Sequence, residues 1–159
     1  MNLKKVLAAL TCVCGIASGL MAADAGVTDL SNGAKLGAFS AGSPRVAGYM
    51  LDSVAAELTG LPYVYLQERG SSKAAAAGFS FVIDKPAVIY LCIHAVGEPK
   101  LPEGWTKTDL KVVWKTDTVK FDDAVYMKEF PAGKVEIPVN DGQNKYGFGI
   151  PHAAVIKVK

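Results

Sequence analysis

Val88-Ile89-Tyr90-Leu91-Cys92-Ile93-His94-Ala95-Val96 is the stretch whose reading decides the fold class. It is an almost unbroken apolar run. Lys85-Pro86 bounds it in front and Gly97-Glu98-Pro99 behind. Such a run predicts a strand buried on both faces. Its alternation places Cys92 and His94 on the same side.

Outward from this strand the pattern repeats. Toward the N-terminus, Ala77 to Ile83 puts Phe79, Phe81 and Ile83 on one face and Ser80 on the other. Asp84-Lys85-Pro86 is a tight connection, which predicts that this strand and the Val88 strand are neighbours. Arg45 to Leu51 and Tyr63 to Gln67 are further strand candidates. Toward the C-terminus, strands are predicted around Trp114 (Leu110 to Thr116), over Ala124 to Phe130, over Lys134 to Val139 and over Ala153 to Val158. Asp122-Asp123, Pro131-Ala132-Gly133 and Asn140-Asp141-Gly142 read as the turns between them.

Only Asp52 to Leu58 has a helical look, with Asp52 as its cap, and it ends at Gly60-Leu61-Pro62. Gly70-Ser71-Ser72-Lys73 and the alanines after it read as a loop, with a short helical turn as the alternative. Parallel βαβ units need helices of about ten or more residues between strands, and none is visible. The expected fold is therefore all-β: an antiparallel β-sandwich, jelly-roll-like, with at most one short helix.

The N-terminus carries a different signal. Lys4-Lys5 precedes an apolar run from Val6 to Met21, and small residues follow at Ala22, Ala23 and Ala25. These are the parts of a secretory signal peptide, predicted over residues 1–23 with cleavage as late as residue 25. The run is rich in Ala, Gly, Thr and Ser, which argues against a membrane anchor. Thr11 before Cys12 and Val13 before Cys14 do not suit lipoprotein processing. A secreted or periplasmic location follows, with one sandwich domain over residues 24–159 and no membrane span in the mature protein. Of three cysteines only Cys92 then remains, so the domain has no internal disulfide and relies on its core. About 135 residues suffice for this, burying roughly two-thirds of the unfolded surface.

Lys4 and Lys5 are two of the 17 basic residues, so the remainder equals the 15 acidic ones. With no basic stripe, nucleic acid is an unsuitable partner. No metal or cofactor motif is present. Asp122-Asp123 and Asn140-Asp141-Gly142, with Asp117 near the first, have the oxygen ligands calcium uses, but turn chemistry alone accounts for them.

Gly60-Leu61-Pro62-Tyr63-Val64-Tyr65, Phe79 to Ile83, Pro86 to Leu91, Leu101-Pro102, Gly104-Trp105-Thr106-Lys107-Thr108 and Val125 to Val135 follow one another in an order that carries a resemblance. The chain resembles small β-sandwich modules, jelly-roll or galactose-binding-like, of secreted bacterial carbohydrate-active or surface proteins. Their pattern runs V-Y-V-A-Y-D, then P-x-W-L…W-T-x-T, then Y-x-K-x-F-x-A-G-x-V, and the likeness covers about residues 58 to 150. Two departures stand out: His94 replaces the polar Asp that closes the long strand, and Glu103 follows Pro102 where an aromatic residue is expected. The resemblance implies a sandwich and transfers no catalytic residue.

No catalytic constellation converges in the sequence. A Cys92/His94 nucleophile pair would require a distorted strand, so Cys92 reads as core and His94 as a strand-end residue. Trp105, in a Pro/Gly-rich loop, is the leading candidate: an exposed indole is a flat platform for a sugar ring, and a packed one is a loop anchor. Trp114 reads as core. The candidate ligand-binding set is Trp105, Glu103, Thr106, Lys107, His94 and Tyr65. The expected function is an exported non-catalytic module binding glycan or a cell-envelope partner. The alternatives are a protein-docking or structural module of the envelope without a sugar site and, last, a small secreted hydrolase using His94 with a distant carboxylate.

Overall fold

A computed structural model describes residues 26–71, 75–95, 101–141 and 149–159. The predicted signal segment, residues 72–74 of the Gly70 loop, Val96 with Gly97-Glu98-Pro99 behind it, and Gly142 lie outside the described residues. The strands are β1 (Val27–Thr28), β2 (Lys35–Ala38), β3 (Pro44–Val46), β4 (Tyr49–Val54), β5 (Pro62–Tyr65) and β6 (Phe79–Ile83). They continue as β7 (Ala87–His94), β8 (Thr106–Lys115), β9 (Lys120–Phe130), β10 (Gly133–Ile137) and β11 (Ala153–Val158). A single 3-10 turn, Ala56–Leu58, is the helical content among the described residues. No helix there is long and apolar enough to cross a membrane.

Among the described residues all pairings are antiparallel, and they form two sheets. The small sheet has the order β1-β6-β10, and the large one β2-β5-β11-β7-β9-β8-β4-β3. The molecule is thus a β-sandwich with an uneven division of strands. Alternation builds its first core. Phe79, Phe81 and Ile83 of β6, with Val135 and Ile137 of β10, face Ile89, Leu91 and Ile93 of β7 and Ala154 and Ile156 of β11.

The other face of the large sheet is apolar too. Tyr63 and Tyr65 of β5, Cys92 of β7, Val112 and Trp114 of β8, Val125 of β9 and Val155 of β11 form a second core. Among the described residues no further sheet covers it. The large sheet covers it by curling round on itself until its last strand meets its second. Tyr63 Oη of β5 donates to the carbonyl of Pro44 in β3 at 2.7 Å, and Ala47 N donates to Gln67 O at 3.0 Å. Twist and bulges make such a curl. Bulges interrupt β3/β4, β4/β8 and β8/β9. In the last of these, Thr108 Oγ1 donates to Val125 O at 3.0 Å and accepts from Leu110 N at 3.2 Å, so the groups freed by the bulge stay bonded.

Several expectations need correction. The β6 and β7 strands do not pair: Asp84-Lys85-Pro86 carries the chain from one sheet to the other, and the two strands face each other across the core. Asp122-Asp123 is no turn but lies within β9, because the hairpin closes earlier, with Thr116 N donating to Val119 O at 2.9 Å. Asp52 caps no helix. It belongs to β4, where its carboxylate meets Lys115 and Lys120 at 2.8 and 2.6 Å across the β8–β9 hairpin. Strand β10 ends at Ile137, and Val139 is exposed rather than part of the apolar face. The β7 run is buried on both faces only in its second half, since Val88 and Tyr90 are half-buried.

Candidate functional site

The Pro102-Glu103-Gly104-Trp105 loop leads into β8, whose first residue, Thr106, lies opposite Met127 of β9. Past that register β9 has no β8 partner, and the loop folds over Lys128 instead. Gly104 makes this approach possible. Its φ is +93°, and a Cβ there would sit 3.0 Å from Lys128 Nζ. The Lys128 ammonium donates to Glu103 O at 2.8 Å.

Trp105 is half-buried. One part of its ring packs on the first core, with Phe130 at 5.9 Å between centroids, and the rest faces an open groove. That groove, about 390 Å³, is lined by Pro102, Trp105, Lys128, Phe130, Lys134 and Glu136. A second one of about 570 Å³ lies beyond the Gly104–Lys128 ridge, against Val88, Tyr90, Thr106, Met127 and Glu129. Among the expected ligand residues, Trp105 and Thr106 therefore line neighbouring grooves. Glu103 lends its backbone carbonyl while its side chain is exposed, and Lys107 is exposed on β8 opposite Tyr126.

His94 and Tyr65 lie elsewhere, inside the curl. Tyr65 stacks on Tyr63 at 4.8 Å, and burial pushes both phenols upward. His94 packs edge-on against Trp114 and Phe121 at 5.1 and 5.6 Å. Both residues sit on the second-core side of the large sheet because alternation sends them there together with Cys92 and Val155. Trp114 is core, as its strand position predicts.

The interior of the curl holds charges that the sequence pattern does not flag. Arg45, on β3, is fully buried, with Nε 2.6 Å from Asp123 Oδ2. Its guanidinium also donates to Pro151 O at 2.8 Å and Cys92 O at 3.2 Å. Asp123 Oδ1 accepts from Trp114 Nε1 at 3.0 Å. His152, buried beside them, has neither ring nitrogen bonded within the protein, and His94 Nδ1 is likewise unbonded. Burial, then the Arg45 charge, lowers the His152 pKa to about 3. Burial lowers that of His94 as well, against the opposing pull of Asp123. The Cys92 thiol is driven up, first by burial and then by Asp123. Burial thus disfavours the thiolate of Cys92, the form that attacks, and the Asp123 carboxylate is taken up by Arg45 and Trp114. The pattern gave no warning of this cluster, because a lone Arg in a short strand and an Asp beside another Asp look solvated until their partner is known. Among the described residues no group of three or more His, Cys, Asp or Glu is arranged to hold a metal ion.

Comparison with models of known families, with curated proteins and with solved structures finds no match to this chain.

Proposed function

We propose that the protein is an exported, non-catalytic β-sandwich module that binds glycan in the groove beside Trp105, in the manner of the galactose-binding-like modules it resembles. One observation carries this reading: a half-buried indole, anchored on Phe130, borders an open groove together with Lys128, Lys134 and Glu136. A fixed aromatic face stacks on the C–H face of a sugar ring, and flanking polar groups orient its hydroxyls. The lysine-led, apolar start of the chain supports export. The closed burial of Cys92, His94 and Asp123 supports the non-catalytic part of the proposal.

A glycan array with Trp105→Ala and Trp105→Phe tests it. Trp105→Ala is expected to weaken binding about ten-fold or more, the equivalent of ~1.4 kcal/mol. Trp105→Phe, which keeps the packing on Phe130, retains part of it. Absence of binding to every glycan by a folded wild-type protein would sink the reading. A protein-docking role at the envelope is the second reading, and Met127 favours it: 40% exposed, it lies in the neighbouring groove with Val88 and Tyr90.

A further inference from the structure

The two outer grooves meet at Gly104 and Lys128, which line both or border both. Two of the carboxylates around them are already paired. Glu136 Oε1 lies 2.7 Å from Lys134 Nζ, and Glu129 Oε2 lies 2.6 Å from Lys159 Nζ. Lys128 is different: among the described residues no carboxylate pairs with it. Its ammonium is held by the Glu103 carbonyl at 2.8 Å and lies 5.6 Å from the Phe130 ring centroid. The cation is thus positioned before any ligand arrives, and the glycine at position 104 leaves room for it. An ammonium has three N–H donors, and one is committed to Glu103.

We propose that Lys128 is the anion anchor of the Trp105 groove, and that the ligand class is a polysaccharide whose sugar rings carry carboxylates, that is, a polyuronate. The inference rests on the glycan reading above. A uronate ring presents an apolar face to the indole and, from the same rigid ring, a carboxylate to the ammonium. That contact is a charge-assisted hydrogen bond. A neutral sugar leaves the Lys128 charge without an anionic partner. An acidic peptide bears its carboxylates on flexible arms and has no ring face for Trp105.

The test is titration of the purified protein with polygalacturonate, with its fully methyl-esterified form and with polyglutamate. Esterification removes the charge and keeps the rings. The expected result is binding of polygalacturonate that weakens with added salt and falls about ten-fold on esterification. Lys128→Gln is expected to lose about the same factor with an unchanged melting temperature, and Lys128→Arg to recover part of it. Equal affinity for free and esterified polymer, or binding only to neutral glycans, overturns the anchor while leaving the glycan reading standing. Polyglutamate bound as well as polygalacturonate overturns the ligand class. Failure to bind any polysaccharide, charged or neutral, removes both proposals.

Discussion

Arg45 and Asp123, 78 residues apart in the chain, meet through Nε and Oδ2 at 2.6 Å with both side chains wholly removed from solvent. Arg45 belongs to the last strand of the large sheet and Asp123 to a central one. The pair therefore spans the interior of the curl. It joins β3 to β9, and through the Cys92 and Pro151 carbonyls to β7 and the approach to β11.

Removing one partner leaves an uncompensated charge in the interior. Arg45→Met or Asp123→Leu alone is expected to cost about 3–5 kcal/mol. The double substitution Arg45→Met/Asp123→Leu is expected to cost much less than the sum, because neither charge remains buried. Urea unfolding of the three variants and the parent checks this as a double-mutant cycle. Additive losses would show that the two side chains act independently.

His152 gives a pH dependence with a definite sign. Unfolded, its imidazole protonates near the ordinary value of 6.5; folded, it resists protonation down to about 3. Between those values the unfolded chain binds the extra proton. Stability is therefore full above about pH 6.5, falls as the pH drops below it, and stops falling from this source near pH 3. Each unit of the depression corresponds to about 1.4 kcal/mol. His94, lowered in the same direction, adds to the slope. Melting temperatures from pH 7 to pH 3.5 are expected to decline, with a shallower decline for His152→Leu. Parallel curves for the two proteins would contradict the assignment.

Cys92 is expected to be inert in the native state. It is fully buried and its thiol is raised by burial, whereas thiol reagents attack the thiolate. Iodoacetamide labelling followed by mass mapping of Cys92 is expected to track unfolding and to accelerate with denaturant. Labelling in native buffer at the rate of an exposed cysteine would mean that the curl opens readily.

Gly78 lies where β6 begins, and a Cβ there would come within 2.6 Å of Ile137 O and 3.0 Å of Val139 N. Those are backbone atoms, which cannot swing aside. Gly78→Ala is expected to destabilise by about 1–3 kcal/mol through overpacking. Denaturant midpoints measure it, and a neutral result would show that β10 has room to shift.

Much of the fold was legible in advance, for a local reason. A period of two needs only neighbouring residues, so the alternations of Phe79 to Ile83 and Val135 to Ile137 and the apolar run at Val88 mark strands by themselves. Where that logic failed, a distant partner decided. Asp52, ahead of Ala55-Ala56-Glu57-Leu58, looks like a helix start until Lys115 and Lys120 hold its carboxylate. The Trp105 loop was recognisable as a site candidate from its composition. Its companions Lys128, Phe130, Lys134 and Glu136 were not, since they come from β9 and β10 and meet Trp105 only across strands.

The amino-acid order alone determined the all-β class, the facing of Phe79, Phe81, Ile83, Val135 and Ile137 and the placement of Cys92 and His94 on one side of their strand. Those properties follow from backbone pleating and short-range hydrophobic pattern. Only the tertiary structure decided which strands pair, that the large sheet curls over its own second face, and that Arg45 and Asp123 are buried partners. Strand order and ion pairing depend on contacts between residues far apart in the chain, and neither alternation nor local turn chemistry encodes which distant partner will arrive.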